Sequence, residues 1–303
     1  MEALKHPLTY DEQIHWLVSK GLIINDHDSA VEILSSVNYY RLINAYGLGL
    51  YDPSYAEKSR YQAGTSIEQI YELYRFDVIL RQVLSAMLEK FEVEFRTKLA
   101  YHLANKYCAT SYLRPELFEN ALHHEDFLKN FWRDKSSQSK SLIVKHHNEK
   151  YGGIIPIWAA VEIVSFGTLS KLYCNLNETD RKTFSLEHYE VKEWMLKSWL
   201  RSFVECRNIC AHYGRLYNRI LLSRPRLFND MTGFNNQRIF PVLYLLARYE
   251  EDNATIYSAC TRLRTAFTFF PSAECEKIGF PENWFQVITG FDLDSEIETE
   301  DLS

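Results

Sequence analysis

Three observations predict an all-α chain. Apolar residues recur at helical intervals from Ile67 to Tyr107 without a proline or glycine. Helix-start signals precede the periodic stretches. No stretch of any length alternates with the strand period, and no internal repeat is present.

Thr9 and Glu12 form a capping box, with Gly21 placed to stop the helix that follows. Asp26 or Asp28 caps a second helix through Ser36, and Asn38 begins a third. Three short helices invite a helix-turn-helix reading. The candidate recognition segment, however, is rich in Tyr and Leu and poor in Arg, Lys and Gln, so residues 1–52 read as a helical module packed on the main body. Asp52 to Ala63 is a polar linker.

Thr65 and Ser66, each followed three residues later by Glu68 or Gln69, then start one very long helix or two in near-continuation. Its charged pairs Glu92–Arg96 and Glu94–Lys98, at i,i+4, are expected to be surface pairs worth a few tenths of a kcal/mol. Residues 108–150 are polar and less regular. Pro156 opens a helix to about Tyr173, apolar almost all round and therefore buried or at an interface. Glu162 is its odd member, and a carboxylate there needs a partner, for which an Arg from the 207–219 segment would serve. Asn177 to Asp180 reads as a turn. Glu190 to Ile220 is expected to be helical, interrupted near Gly214, and Arg238–Tyr249 and Thr255–Phe269 to be two further helices. The expected division is therefore a module at 1–52, a helical core at 64–222, C-terminal helices packed on it at 223–290, and a disordered acidic tail at 291–303.

Charge must be read locally. The net charge is −6, but six acidic residues fall in the last twelve positions, and the rest of the chain balances at 34 acidic against 34 basic. From Cys206 to Asn229 there is no Asp or Glu and no Lys, only five arginines: Arg207, Arg215, Arg219, Arg224 and Arg226. Arginine offers a planar fork of donors suited to phosphate. On a continuous helix Asn208, His212, Arg215 and Arg219 would fall within about 60° of one another, opposite Trp199, Phe203, Cys206 and Cys210. That stripe has the composition of an aimed, RNA-binding site. The other reading is a buried hydrogen-bond network that holds helices together.

Six cysteines show no C-x-x-C pair, no secretory signal is visible, and the apolar stretch Ile154 to Val161 contains Pro156 and is too short to span a bilayer. A cytoplasmic location with reduced thiols and no membrane segment is expected. The His123–His124 and His146–His147 pairs diverge along any helix, and no recognised metal spacing accompanies them, so neither a metal nor a cofactor is expected.

Arg207-Asn-x-x-x-His212 resembles the R-x4–6-H motif of HEPN-superfamily ribonucleases. The wider pattern resembles the Abi-like (abortive infection, AbiD/AbiF-type) bacterial family. It comprises Ser36-Val-Asn-Tyr-Tyr-Arg-Leu42, Gly64-Thr-Ser66, the run from Pro156 to Tyr173, the motif itself and Gly279-Phe-Pro-Glu-Asn-Trp284. This resemblance implies a HEPN-like helical bundle and a metal-independent endoribonuclease. In it Arg207 binds phosphate, His212 is the acid/base, and Asn208 orients the His or the substrate. It implies a homodimer that brings two motifs to one cleft, a role in phage defence by growth arrest, and a protein or RNA antitoxin. A different class, a non-catalytic module that holds a structured RNA on the Arg patch, is the alternative.

Overall fold

The computed structural model describes residues 6–55 and 59–290. These contain thirteen α-helices and no strand, so the fold is all-α. The acidic tail lies outside the described residues. The chain divides into two compact units. The first comprises the chain up to Val83, Ile209–Arg219 and the stretch from Asp252; the second comprises Leu84–Asn208 and Ile220–Glu251.

In the first unit, α1 (Tyr10–Ser19) starts at the expected Thr9–Glu12 capping box, and Gly21 follows its end at φ +82°. Helix α2 (His27–Ser36) is capped by Asp26 and α3 (Tyr39–Tyr46) by Asn38. The expected linker is no free tether where it is described. Tyr61 is buried and stacks on Tyr51 at 4.4 Å, because the Gln62 amide donates to the Leu50 carbonyl and turns the segment back. Helix α4 (Ile67–Lys106) is one uninterrupted helix, its start capped by Ser66 Oγ accepting from the Gln69 amide at 3.2 Å. Its first half belongs to this unit, where Phe76 packs on Tyr217 and Phe267.

The second unit begins with the rest of α4, whose Phe95 meets Phe166, Tyr173 and Phe184 at 6.2, 5.8 and 5.7 Å. The polar stretch 108–150 holds two helices, α5 (Ala121–Ser137) and α6 (Leu142–Tyr151). The single helix expected from Pro156 to Tyr173 is two: α7 (Ile157–Ile163) and α8 (Phe166–Asn175). Ser165 causes the break, since its hydroxyl accepts from the Thr168 amide and restarts the helix. Asn177 is likewise a cap rather than a free turn, opening α9 (Glu178–Tyr189), which ends at Glu190 with φ +54°. Helix α10 (Glu193–Ala211) follows, then α11 (Phe240–Arg248). In the first unit, α12 (Asn253–Phe269) packs on α13 (Trp284–Thr289).

Candidate functional site

The motif helix stops earlier than its periodicity suggests. Ala211 is the last residue of α10, and the chain closes on itself there. The Tyr213 amide donates to the Cys210 carbonyl at 3.0 Å and the Gly214 amide to the Ile209 carbonyl at 2.7 Å. These are the two bonds of a Schellman closure, with Tyr213 at φ +55° in the left-handed position that glycine usually takes. A Cβ on Gly214 would sit 3.3 Å from the Ile209 carbonyl oxygen, so the small residue is needed one position later. His212 is the capping residue and is exposed. Arg215 and Arg219 are therefore not on the helix, and the stripe Asn208–His212–Arg215–Arg219 does not form.

What holds the chain after His212 is a buried carboxylate. Asp77, fully buried on α4, accepts from the Leu216 amide (3.0 Å), the Tyr217 amide (2.7 Å), the Tyr46 hydroxyl (2.6 Å) and Arg81 Nη1 (2.6 Å). Arg81 Nη1 also donates to the Gly214 carbonyl at 3.2 Å. Burial and the neighbouring carboxylate push the Tyr46 hydroxyl well above its ordinary range, which keeps it a donor. Arg215 donates to the Tyr217 carbonyl and Arg219 to the Arg215 carbonyl, so both fold back on their own segment. Arg41 donates to the Tyr213 carbonyl, with its guanidinium 6.0 Å from that ring's centre. Arg41, Arg215 and the exposed rings of Tyr40 and Tyr213 line a cleft of about 350 Å³ in the first unit.

Arg207 and Asn208 lie in the second unit. The buried face of α10 is the expected one: Trp199, Phe203, Cys206 and Cys210. Asn208 is exposed. Arg207 is half-exposed, and its Nε lies 3.3 Å from Glu92 Oε2 on α4. The other oxygen of Glu92 takes Arg96, whose Nη1 donates to the Val161 and Val164 carbonyls at the end of α7. Glu92 and Arg96 are thus buried and not the surface pair expected. Their position explains it: both fall among the core-facing residues Leu88, Phe95 and Leu99, and the carbonyls left over at the end of α7 need donors.

Glu162 does not take the role expected of it. It is exposed beside Trp158 and Tyr101, and the carboxylate that pairs with Arg207 is Glu92. Arg224 is exposed. Arg226 accepts from Trp199 Nε1 through its carbonyl, and its guanidinium lies 6.0 Å from the Trp194 ring centre. Asp77 and Arg81 are the residues that sequence reasoning missed, and Glu92 and Arg96 the pair it placed on the surface. The signal was there: each charge sits where the apolar period of α4 calls for a core residue.

Among the described residues no helix is long and apolar enough to cross a membrane. No curated protein and no solved structure matched the chain. A family model described as Abi-like protein matches residues 32–218, more than half of the sequence. That span includes Asn38 to Leu42 on α3, the Asp77 and Glu92 clusters of α4, and the motif with its closing turn. The chain belongs to the family of Abi-like proteins.

Proposed function

We propose that the protein is a metal-independent endoribonuclease of a bacterial abortive-infection or toxin–antitoxin system, of HEPN type, acting as a homodimer. The observation that carries this is the setting of the motif. His212 is solvent-exposed at a helix end stiffened by a Schellman closure and by the Asp77 carboxylate, while Glu92 fixes Arg207 through Nε and leaves its Nη groups as donors. Imidazole exchanges protons near neutrality and suits the activation of a ribose 2′-hydroxyl or the protonation of a leaving 5′-oxygen. A guanidinium stabilises charge developing on the phosphate. One chain supplies one motif histidine, so two proton roles call for a second copy related by a two-fold axis. Asn208, exposed one residue beyond Arg207, would orient substrate, and Arg224 and Arg226 would extend the binding of RNA. A neighbouring protein or RNA antitoxin would restrain the activity.

The alternative, a module that holds RNA without cutting it, is favoured by the cleft lined by Arg41, Arg215, Tyr40 and Tyr213, which pairs cations with stacking surfaces. An end-labelled RNA incubated in EDTA decides between them. Cleavage that disappears in His212→Ala supports the nuclease. Retained RNA affinity with no cleavage by the unaltered protein supports the binder.

A further inference from the structure

His102 on α4 and Glu187 and His188 on α9, all in the second unit, each offer a ligand atom, and these atoms lie within 4.8 Å of one another. The first is unusual. His102 is 8 % exposed, yet its Nε2 is buried with no hydrogen-bond partner among the described residues, and its Nδ1 stands 3.7 Å from Glu187 Oε2, beyond hydrogen-bonding distance. Buried polar atoms are nearly always satisfied, and this imidazole, with one ring nitrogen orphaned and the other facing a carboxylate it does not bond, shares its cluster with a second imidazole. From this cluster we infer a binding site for a divalent cation of the zinc type, with His102, Glu187 and His188 as ligands and water completing the shell.

The surroundings fit that assignment. Two imidazoles and one carboxylate are a borderline-soft donor set suited to zinc. Phe184 holds both rings, with centroids 5.5 Å from His102 and 4.8 Å from His188. The nearest cations are already engaged, Lys106 with Asp180 at 2.6 Å and Lys98 with Glu94 at 3.3 Å. Glu187 is exposed, so an ion has a route in. A bound ion would tie α4 to the C-terminal end of α9, just ahead of α10. It would not take part in the proposed RNA chemistry, and it stands or falls independently of it.

The test is titration of the chelator-stripped, full-length protein with zinc chloride by calorimetry, with melting temperature measured in parallel. One equivalent is expected to bind with a rise in melting temperature. Glu187→Gln and His188→Gln should each weaken binding at least tenfold while circular dichroism stays unchanged. These two residues are chosen because they lie nearer the surface than His102, whose replacement puts the fold itself at risk. His146→Gln, in the unrelated histidine pair, should bind as the unaltered protein does. The inference is overturned if no saturable binding is seen, or if Glu187→Gln and His188→Gln bind zinc as tightly as the unaltered chain. Cobalt in place of zinc adds an independent readout: thiolate charge-transfer absorption would put the ion on cysteine and also overturn it.

Discussion

Asp77 and Arg81, one turn apart on α4, form a buried ion pair at 2.6 Å whose remaining hydrogen bonds go to the Tyr46 hydroxyl and to the backbone of Gly214, Leu216 and Tyr217. The pair therefore specifies where the chain goes after His212. Asp77→Ala removes one charge and leaves Arg81 buried without it, along with two backbone amides. A loss of about 3–5 kcal/mol is expected, as for other broken buried pairs. Urea denaturation checks it, and a loss below about 1 kcal/mol would mean the pair is not holding the segment.

Tyr213 sits at φ +55°, where a residue with a Cβ is strained by roughly 1–2 kcal/mol. Tyr213→Gly relieves that strain but gives up the ring beside Arg41. The expected net effect is stabilisation by about 0.5–1 kcal/mol, seen as a higher melting temperature. If the ring serves RNA stacking, the same variant binds RNA more weakly.

The chemistry is tested at two positions. His212→Ala and Arg207→Ala should each lower RNA cleavage by about 10²-fold or more. Products should carry a 2′,3′-cyclic phosphate and a 5′-hydroxyl, and DNA should be spared because it lacks the attacking hydroxyl. Melting temperatures should scarcely change, since His212 is exposed and Arg207 half-exposed. Metal-dependent cleavage leaving 5′-phosphates would refute the mechanism.

Glu92 separates position from charge. Glu92→Gln keeps the shape but removes the anion shared by Arg96 and Arg207. Two consequences are expected: destabilisation by a few kcal/mol from the buried Arg96, and a rise in KM for RNA as Arg207 loses its fixed orientation. Equal kinetics in the variant would show that Arg207 needs no such positioning.

The proposed homodimer rests on the single motif histidine, because the apolar 156–173 segment is largely covered already: Ile157, Val161, Leu169 and Tyr173 are all buried. Sedimentation equilibrium at micromolar concentration should give twice the chain mass. A monomer with full nuclease activity would sink the two-fold model.

Local sequence was sufficient for the helical class, for the helical run from Ile67 to Lys106 and for the caps at Thr9 and Asn38, because periodicity and capping act within a few residues of each other; that the run is one helix, and that Asp26 rather than Asp28 is the cap, the structure decided. It also singled out Arg207, Asn208 and His212 through their spacing. It placed an interruption near Gly214, where the helix does close, but it could not tell that the helix does not resume through Arg219. That outcome depends on a carboxylate at Asp77, far away in the chain, which draws the amides of Leu216 and Tyr217 away from helical hydrogen bonds. Nor could it name Glu92 over Glu162 as the partner of Arg207. Periodicity reports which face of a helix is apolar, whereas a buried charge is matched to its partner only when the chain folds and desolvation makes an unpaired one costly.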